Sequence, residues 1–294
     1  MAGRFVRQSK KAALGAIFLA FSGCVSVSPD VSARPRLVAG DTYVSMGSSF
    51  ASGPGVTSSA DQPKNRCARS SDNYARQLAK ALSLKLVDVS CSGATTAHIS
   101  GAWNEFPPQI DALSSDTRLV TVTIGGNDVS LVRNLIAFGC QSVPATSEAP
   151  RDPRCPTVNI PTEKDWQSME AGLQAIASAV KLRSPNARLA FVQYVPLVPE
   201  TGGCAALPIS ADEMGIARQI ALRLASVTAG VASRTGALLV NAATDGRAHD
   251  PCSNEPWATG FPGPNDTELV PFHPNLAGMS AIARVLQKEL RNEN

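Results

Sequence analysis

The sequence predicts an α/β fold built on a parallel β-sheet. From about residue 41 onward, short apolar runs alternate with longer stretches of helical spacing. The run 118–124 is nearly continuous in apolar and β-branched residues, as in strands that are buried on both faces of a sheet. Strands that alternate with helices favour a parallel sheet covered by helices on both faces. A chain of 294 residues with 44% hydrophobic content is long enough for one sizeable core.

Nine elements carry this prediction. Each predicted strand is a short apolar run that ends at small or polar residues, and the five runs are 43–46, 85–89, 118–124, 188–195 and 237–241. The predicted helices have apolar residues at helical spacing, and they cover 71–82, 163–183, 211–234 and 275–291.

Residues 1–24 have the pattern of a bacterial signal peptide. A basic start without acidic residues is followed by ten apolar residues, which are too few to span a bilayer. Small residues directly before Cys24 resemble a lipoprotein cleavage site, at which Cys24 would be lipidated. The alternative is an ordinary signal peptide that is cleaved a little further on. We expect residues 25–40, rich in Ser, Pro and Val, to be a tether, and 41–294 to be one domain.

Removal of this leader changes the charge of the chain. The leader contains four basic residues and no acidic one, so the formal charge falls from +3 to about −1. A nucleic-acid partner therefore has no electrostatic support. We expect an exported monomer.

Six cysteines remain after Cys24, and an even number in an oxidising compartment predicts three disulfides. Sequential pairing closes the shortest loops, so we expect Cys67–Cys91, Cys140–Cys155 and Cys204–Cys252. The alternative is a metal site, but the chain contains no CxxC pair and few histidines. No metal or organic cofactor is expected.

Residues suited to nucleophilic catalysis follow three of the predicted strands and precede the last helix. In parallel sheets, ligands bind at the carboxyl ends of the strands, so these positions are candidates for one site. The four segments are Gly47-Ser48-Ser49-Phe50, Cys91-Ser92-Gly93-Ala94, Gly125-Gly126-Asn127-Asp128 and Phe272-His273-Pro274-Asn275.

Each segment has a chemical interpretation. A serine hydroxyl is a poor nucleophile until a base, usually histidine, accepts its proton. A glycine lets a backbone N–H approach a reacting carbonyl oxygen, and an asparagine amide can donate to the same oxyanion. Any one of these signals alone is weak, and the evidence lies in their order along the chain.

Together the four segments resemble the sequence blocks of the SGNH hydrolases, also called GDSL esterases and lipases. The resemblance covers about residues 41–291 and is nearest to an actinobacterial secreted branch with three disulfides. It implies a flavodoxin-like three-layer α/β/α sandwich that hydrolyses carboxylic esters. It also implies that Ser49 is the nucleophile and His273 the base. The oxyanion would be held by Gly93 N–H, the Asn127 side chain and Ser49 N–H.

Two positions depart from the family pattern. Ser48 stands where the family has Asp, which leaves two adjacent serines as candidate nucleophiles, and the alignment favours Ser49. Val270 stands where the family has the acid of its triad. We expect the Val270 backbone carbonyl to orient His273, with Asp266 and Glu268 as the alternatives.

Two further histidines and the substrate complete the predictions. His98 is expected to be structural or to form a wall of the cleft. His249 is expected to be structural, with a role as the base as the alternative. The expected substrate is a carboxylic ester, either a lipid or a small ester. The alternatives are O-deacylation of a cell-envelope glycan by the same residues and a binding lipoprotein without catalysis.

Overall fold

The computed structural model describes residues 1–5, 36–142, 155–262 and 270–292 of the chain. The chain divides into two units, residues 1–33 and 34–294. Of the first unit, residues 1–5 are described; they are exposed and have no regular secondary structure. Cys24, the apolar run of the predicted signal peptide and most of the predicted tether lie outside the described residues. None of the described helices is both long enough and apolar enough to cross a membrane.

One five-stranded sheet lies at the centre of the second unit. Its order is β2-β1-β3-β4-β5, and every neighbouring pair is parallel. This is the flavodoxin-like order, in which ligands bind where the strand order reverses, between β1 and β3. The predicted α/β fold with a five-stranded parallel sheet is therefore confirmed. The strands are β1 (Thr42–Gly47), β2 (Lys85–Asp88), β3 (Thr117–Thr123), β4 (Arg188–Val192) and β5 (Leu238–Val240).

Helices cover both faces of the sheet. Side chains that alternate along a strand enter opposite layers: Tyr43 packs in one hydrophobic cluster, whereas Val44 and Met46 pack in the other. The helices are α1 (Ser49–Ser52), α2 (Tyr74–Leu82), α3 (Thr96–Ser100), α4 (Leu131–Ser142), α5 (Glu163–Arg183), α6 (Ala211–Thr235), α7 (Ala242–Asp245) and α8 (Leu276–Asn292), with a 3₁₀ turn at Gln109–Ala112.

The structure corrects two predicted boundaries and adds four helices that were not predicted, of which α4 is the longest. Helix α2 begins at Tyr74 rather than 71, because the Asn73 side chain accepts a hydrogen bond from Arg76 N–H and caps the helix there. Strand β4 ends at Val192 rather than 195. The sequence analysis missed α4 altogether, since buried residues lie on most sides of this helix and leave no clear polar face.

The described residues contain three disulfide bonds. They join Cys67 to Cys91, Cys140 to Cys155, and Cys204 to Cys252. The first of these ends two residues before Gly93, and the second joins α4 to the segment that leads into α5.

Candidate active site

Ser49 lies at the carboxyl end of β1, where the strand turns directly into helix α1. The turn needs glycine at position 47: its φ is +138°, and a Cβ there would lie 2.4 Å from the Thr123 carbonyl oxygen. The next residue, Ser48, donates its backbone N–H to the same oxygen at 2.9 Å. Backbone contacts between β1 and β3 therefore set where Ser49 emerges.

Gln109 holds the same turn from the other side. Its Oε1 accepts the Gly47 N–H at 2.7 Å, and its Nε2 donates to the Gly47 carbonyl at 3.0 Å. The side chain is buried, so both bonds are shielded from water. The sequence analysis missed Gln109 because nothing in a single sequence links a glutamine to a peptide 62 residues away.

His273 meets Ser49 from the loop before α8. Its Nε2 lies 2.8 Å from Ser49 Oγ, and its Nδ1 lies 2.7 Å from the Pro271 carbonyl oxygen. Because a carbonyl oxygen can only accept, Nδ1 carries the proton. Nε2 then has a free lone pair and accepts the Ser49 hydroxyl proton. This is the tautomer that a general base needs.

The predicted role of the Val270 carbonyl is wrong. That oxygen accepts the Thr259 hydroxyl at 2.6 Å, and the next carbonyl along the chain, that of Pro271, contacts the imidazole instead. The shift has a backbone cause: Phe272 has a φ of +56°, and this left-handed residue tightens the loop just before His273. The alternative acids, Asp266 and Glu268, lie outside the described residues.

The surroundings of His273 favour its neutral form. The imidazole packs against the Phe50 ring, with 5.3 Å between ring centroids. Burial lowers the pKa of His273 from its usual 6.5 to about 4, and the hydrogen bond to the Pro271 carbonyl offsets a smaller part of this effect. At neutral pH the ring is therefore uncharged and able to accept a proton.

Two of the three predicted oxyanion donors, Gly93 and Asn127, lie on neighbouring loops. Gly93 has a φ of +80° and is exposed. Asn127 follows β3, and its Nδ2 donates to the Ala94 carbonyl at 2.8 Å. This bond uses one of the two amide protons of Asn127 and leaves the other for a substrate oxygen.

Asp128 ties the same two loops together. Its carboxylate accepts the Thr96 N–H at 3.1 Å and the Thr96 hydroxyl at 2.5 Å. Burial raises the pKa of this carboxyl, while the bonds from Thr96 act in the opposite direction. The loop after β3 is thus anchored to the start of α3, close to Gly93.

The adjacent serines have different partners. Ser48 is buried, and its Oγ lies 3.3 Å from the Tyr194 hydroxyl, which also accepts the Gly126 N–H at 2.9 Å. Burial raises the pKa of Tyr194 to about 12, so the phenol stays neutral. Ser49 alone of the two contacts a histidine, and this geometry favours Ser49 as the nucleophile.

The other two histidines contact residues that are near them in the sequence. His98 Nδ1 lies 3.0 Å from the Thr95 backbone nitrogen, and its ring packs on Trp103. His249 stacks on Trp257 at 4.4 Å, and its Nδ1 lies 2.8 Å from the Glu255 carbonyl oxygen. These are the contacts of structural residues. Across the described ranges, no group of three or more His, Cys, Asp or Glu side chains is arranged to hold a metal ion.

A cavity of about 370 Å³ lies at the carboxyl end of β4. Leu131 and Tyr194 form part of its wall, and the Tyr194 hydroxyl contacts Ser48 Oγ, but none of the predicted catalytic and oxyanion residues lines this cavity. Most of the remaining wall is apolar and comes from the segment after β4 and from α6, including Val195, Leu197, Val198, Leu224 and Ala225.

Comparison with known proteins decides the family. Residues 45–281 match the GDSL-like lipase/acylhydrolase family, a span that includes all four candidate segments. The chain belongs to this family. It is therefore a hydrolase of carboxylic esters, as the four sequence blocks predicted.

Relatives of this GDSL hydrolase come from Streptomyces. It is 32% identical to "Lipase 2" of Streptomyces coelicolor over 294 aligned residues, which cover 95% of each chain. The crystal structure of an extracellular lipase from Streptomyces rimosus superposes with a TM-score of 0.67 at 25% identity, covering 84% of this chain and 98% of that one. A phospholipase A1 from Streptomyces albidoflavus superposes with a TM-score of 0.66 at 27% identity, covering 85% and 100%.

Proposed function

We propose that this GDSL hydrolase cleaves esters with an apolar acyl chain through an acyl-enzyme on Ser49. The observation that supports this most is the contact of 2.8 Å between Ser49 Oγ and His273 Nε2, with Nδ1 held by the Pro271 carbonyl. A serine paired with an oriented neutral imidazole is the arrangement that activates a hydroxyl.

The reaction proceeds in two halves. Ser49 Oγ attacks the ester carbonyl carbon while its proton passes to His273 Nε2. The resulting oxyanion accepts hydrogen bonds from Gly93 N–H, Asn127 Nδ2 and Ser49 N–H. The C–O bond to the alcohol then breaks, and Nε2 returns the proton to the departing oxygen. A water molecule then gives a proton to His273 Nε2 and attacks the acyl carbon. The bond between that carbon and Ser49 Oγ breaks, Nε2 returns the proton to Oγ, and the acid and the free serine are released.

The test is active-site labelling combined with ester hydrolysis. A fluorophosphonate probe is expected to label the wild type and Ser48→Ala but not Ser49→Ala. Hydrolysis of p-nitrophenyl esters by Ser49→Ala is expected to fall by at least about 10³-fold. Labelling of folded Ser49→Ala at the wild-type rate would move the nucleophile elsewhere.

We place the apolar acyl chain in the cavity beside Tyr194, because most of its wall is apolar and Tyr194 contacts Ser48, the neighbour of the nucleophile. Ala225→Leu narrows this cavity, so it is expected to raise KM for p-nitrophenyl palmitate much more than for p-nitrophenyl acetate. Equal effects on both esters would mean that the chain binds elsewhere. Hydrolysis of an acetylated polysaccharide in preference to every p-nitrophenyl ester would instead favour the glycan O-deacylase.

We also propose that the enzyme is exported and anchored through a lipid on Cys24. Residues 1–24 have the charge and apolar pattern of a lipoprotein signal, residues 25–40 form a tether, and residues 41–294 form the hydrolase domain. In the native host, the wild type is expected to partition into detergent and to incorporate an alkyne-tagged fatty acid, whereas Cys24→Ala is not. Release of unlabelled wild type into the medium would favour an ordinary signal peptide.

A further inference from the structure

The loop that contains His273 lies against a second irregular segment, residues 256–260. The two run antiparallel: Ala258 forms a β-bridge with Pro274, and Asn275 N–H donates to the Trp257 carbonyl at 3.0 Å. Neither segment belongs to the central sheet. The position of the imidazole therefore depends on contacts between two loops.

Thr259 makes several of these contacts. Its backbone N–H donates to the His273 carbonyl at 2.9 Å, and its Oγ1 accepts the His273 N–H at 3.1 Å. The same Oγ1 lies 2.6 Å from the Val270 carbonyl oxygen. The hydroxyl has a single proton, and the shorter distance assigns it to the Val270 carbonyl rather than to the His273 carbonyl at 3.2 Å.

These bonds hold the chain on both sides of Pro271. Pro271 has no N–H of its own, so the direction of its carbonyl depends on the residues that flank it. Phe272, between Pro271 and His273, has the left-handed φ of +56°, a conformation that persists only where neighbouring contacts enforce it. Among the described residues, Thr259 is the one side chain that hydrogen-bonds to the backbone of both Val270 and His273.

We propose that Thr259 is a positioning residue of the active site, whose hydroxyl holds the Pro271 carbonyl against His273 Nδ1. A carboxylate that orients a histidine binds Nδ1 directly. Here a backbone carbonyl makes that bond, and Thr259 supplies the rigidity that the carbonyl lacks. The inference rests on the proposed function, because it takes His273 as the base.

Two substitutions separate the hydroxyl of Thr259 from its shape. Thr259→Val keeps the branched shape and the backbone N–H but loses the hydroxyl, whereas Thr259→Ser keeps the hydroxyl. A small misplacement of a catalytic group can cost about 10²-fold in rate, so kcat of Thr259→Val is expected to fall by about 10- to 100-fold with KM little changed. The kcat of Thr259→Ser is expected to stay within about threefold of the wild-type value, because the hydroxyl is retained.

A direct readout of the imidazole distinguishes positioning from a general loss of stability. The low-field proton NMR signal of His273 Nδ1–H is expected in the wild type and in Thr259→Ser. It is expected to be broadened or absent in Thr259→Val. If Thr259→Val does not fold, Thr259→Ala takes its place in the same comparison.

Thr235→Val is the matched control. Thr235 Oγ1 also donates to a backbone carbonyl, that of Val231, but Thr235 ends α6 just before β5 begins, whereas Ser49 follows the carboxyl end of β1. Wild-type kcat and an intact Nδ1–H signal in folded Thr259→Val would overturn the inference, provided that His273→Ala is inactive. Full activity of His273→Ala would instead overturn the proposed function itself.

Discussion

Ser49 and His273 lie within hydrogen-bonding distance, yet they are held in different ways. Ser49 follows a buried strand in the middle of the sheet, and backbone contacts with β3 set the turn that presents it. His273 lies on a loop, and contacts with a second loop hold it in place. Ser49 is positioned by regular structure with Gln109 as its side-chain support, whereas His273 is positioned by individual hydrogen bonds between loops. We therefore expect substitutions outside the reacting groups to have different effects on the two sides.

Removing either reacting group is expected to have the largest effect. His273→Ala and Ser49→Ala should each lower kcat/KM by at least about 10³-fold, because the hydroxyl and the imidazole act as a unit. For the same reason, the double variant should be hardly slower than either single variant. The kcat/KM of each single variant and of the double variant is measured with p-nitrophenyl butyrate. Losses that multiply in the double variant would mean that the two groups work independently.

Asn127→Ala is expected to come next. The Asn127 amide donates to the Ala94 carbonyl with one proton and has a second proton for the oxyanion. Loss of one such donor lowers kcat by about 10²–10³-fold. Steady-state kinetics on the same ester measure the loss, and KM should change little. A variant that loses affinity but retains kcat would place Asn127 in substrate binding instead.

On the nucleophile side, Gln109→Leu is expected to reduce stability. The Gly47 N–H would lose its buried acceptor, which costs about 1–3 kcal/mol in the free energy of unfolding. The Gly47 carbonyl keeps a second donor, the Cys91 N–H at 3.0 Å. Urea titration measures the change, and Gln109→Glu is the matched control because it retains an acceptor oxygen. Unchanged stability in Gln109→Leu would mean that the turn is held by the strands alone.

The smallest expected effect concerns pH on the base side. Only neutral His273 can accept the Ser49 proton, and burial lowers its pKa to about 4. As the pH falls, kcat/KM should therefore persist well below 6.5, the usual pKa of histidine, and decline only as the pH approaches 4. A profile of kcat/KM against pH, on an ester that does not hydrolyse spontaneously over this range, measures the decline. A midpoint near 6.5 would mean that the imidazole is more hydrated than its contacts indicate.

The candidate site was predictable from sequence where regular structure carries it. Ser49, Gly93 and Asn127 each follow a strand of a parallel sheet, and such strands end at the same edge. In the sequence, strands and their ends can be recognised as apolar runs that stop at small residues. The order β2-β1-β3 places the ends of these strands side by side, and the Asn127 amide contacts the Ala94 carbonyl beside Gly93.

The side-chain supports of the site were not predictable in this way. Gln109, Thr259 and Tyr194 act through hydrogen bonds to residues at least 11 positions away in the sequence, and no local pattern marks such a partner. The orienting carbonyl was misassigned by one residue for a related reason. Whether the Val270 or the Pro271 carbonyl contacts the imidazole depends on the φ of Phe272 and on the hydrogen bond from the Thr259 hydroxyl to the Val270 carbonyl.

The sequence by itself determined the sheet, its approximate strands, the ester-hydrolase family and the residues that stand at the strand ends. Hydrophobic periodicity and local composition are properties of short segments, so they can be read without coordinates. The tertiary structure alone decided which carbonyl faces His273, which serine it contacts and how burial alters its pKa. Those outcomes depend on contacts between segments that meet only after folding.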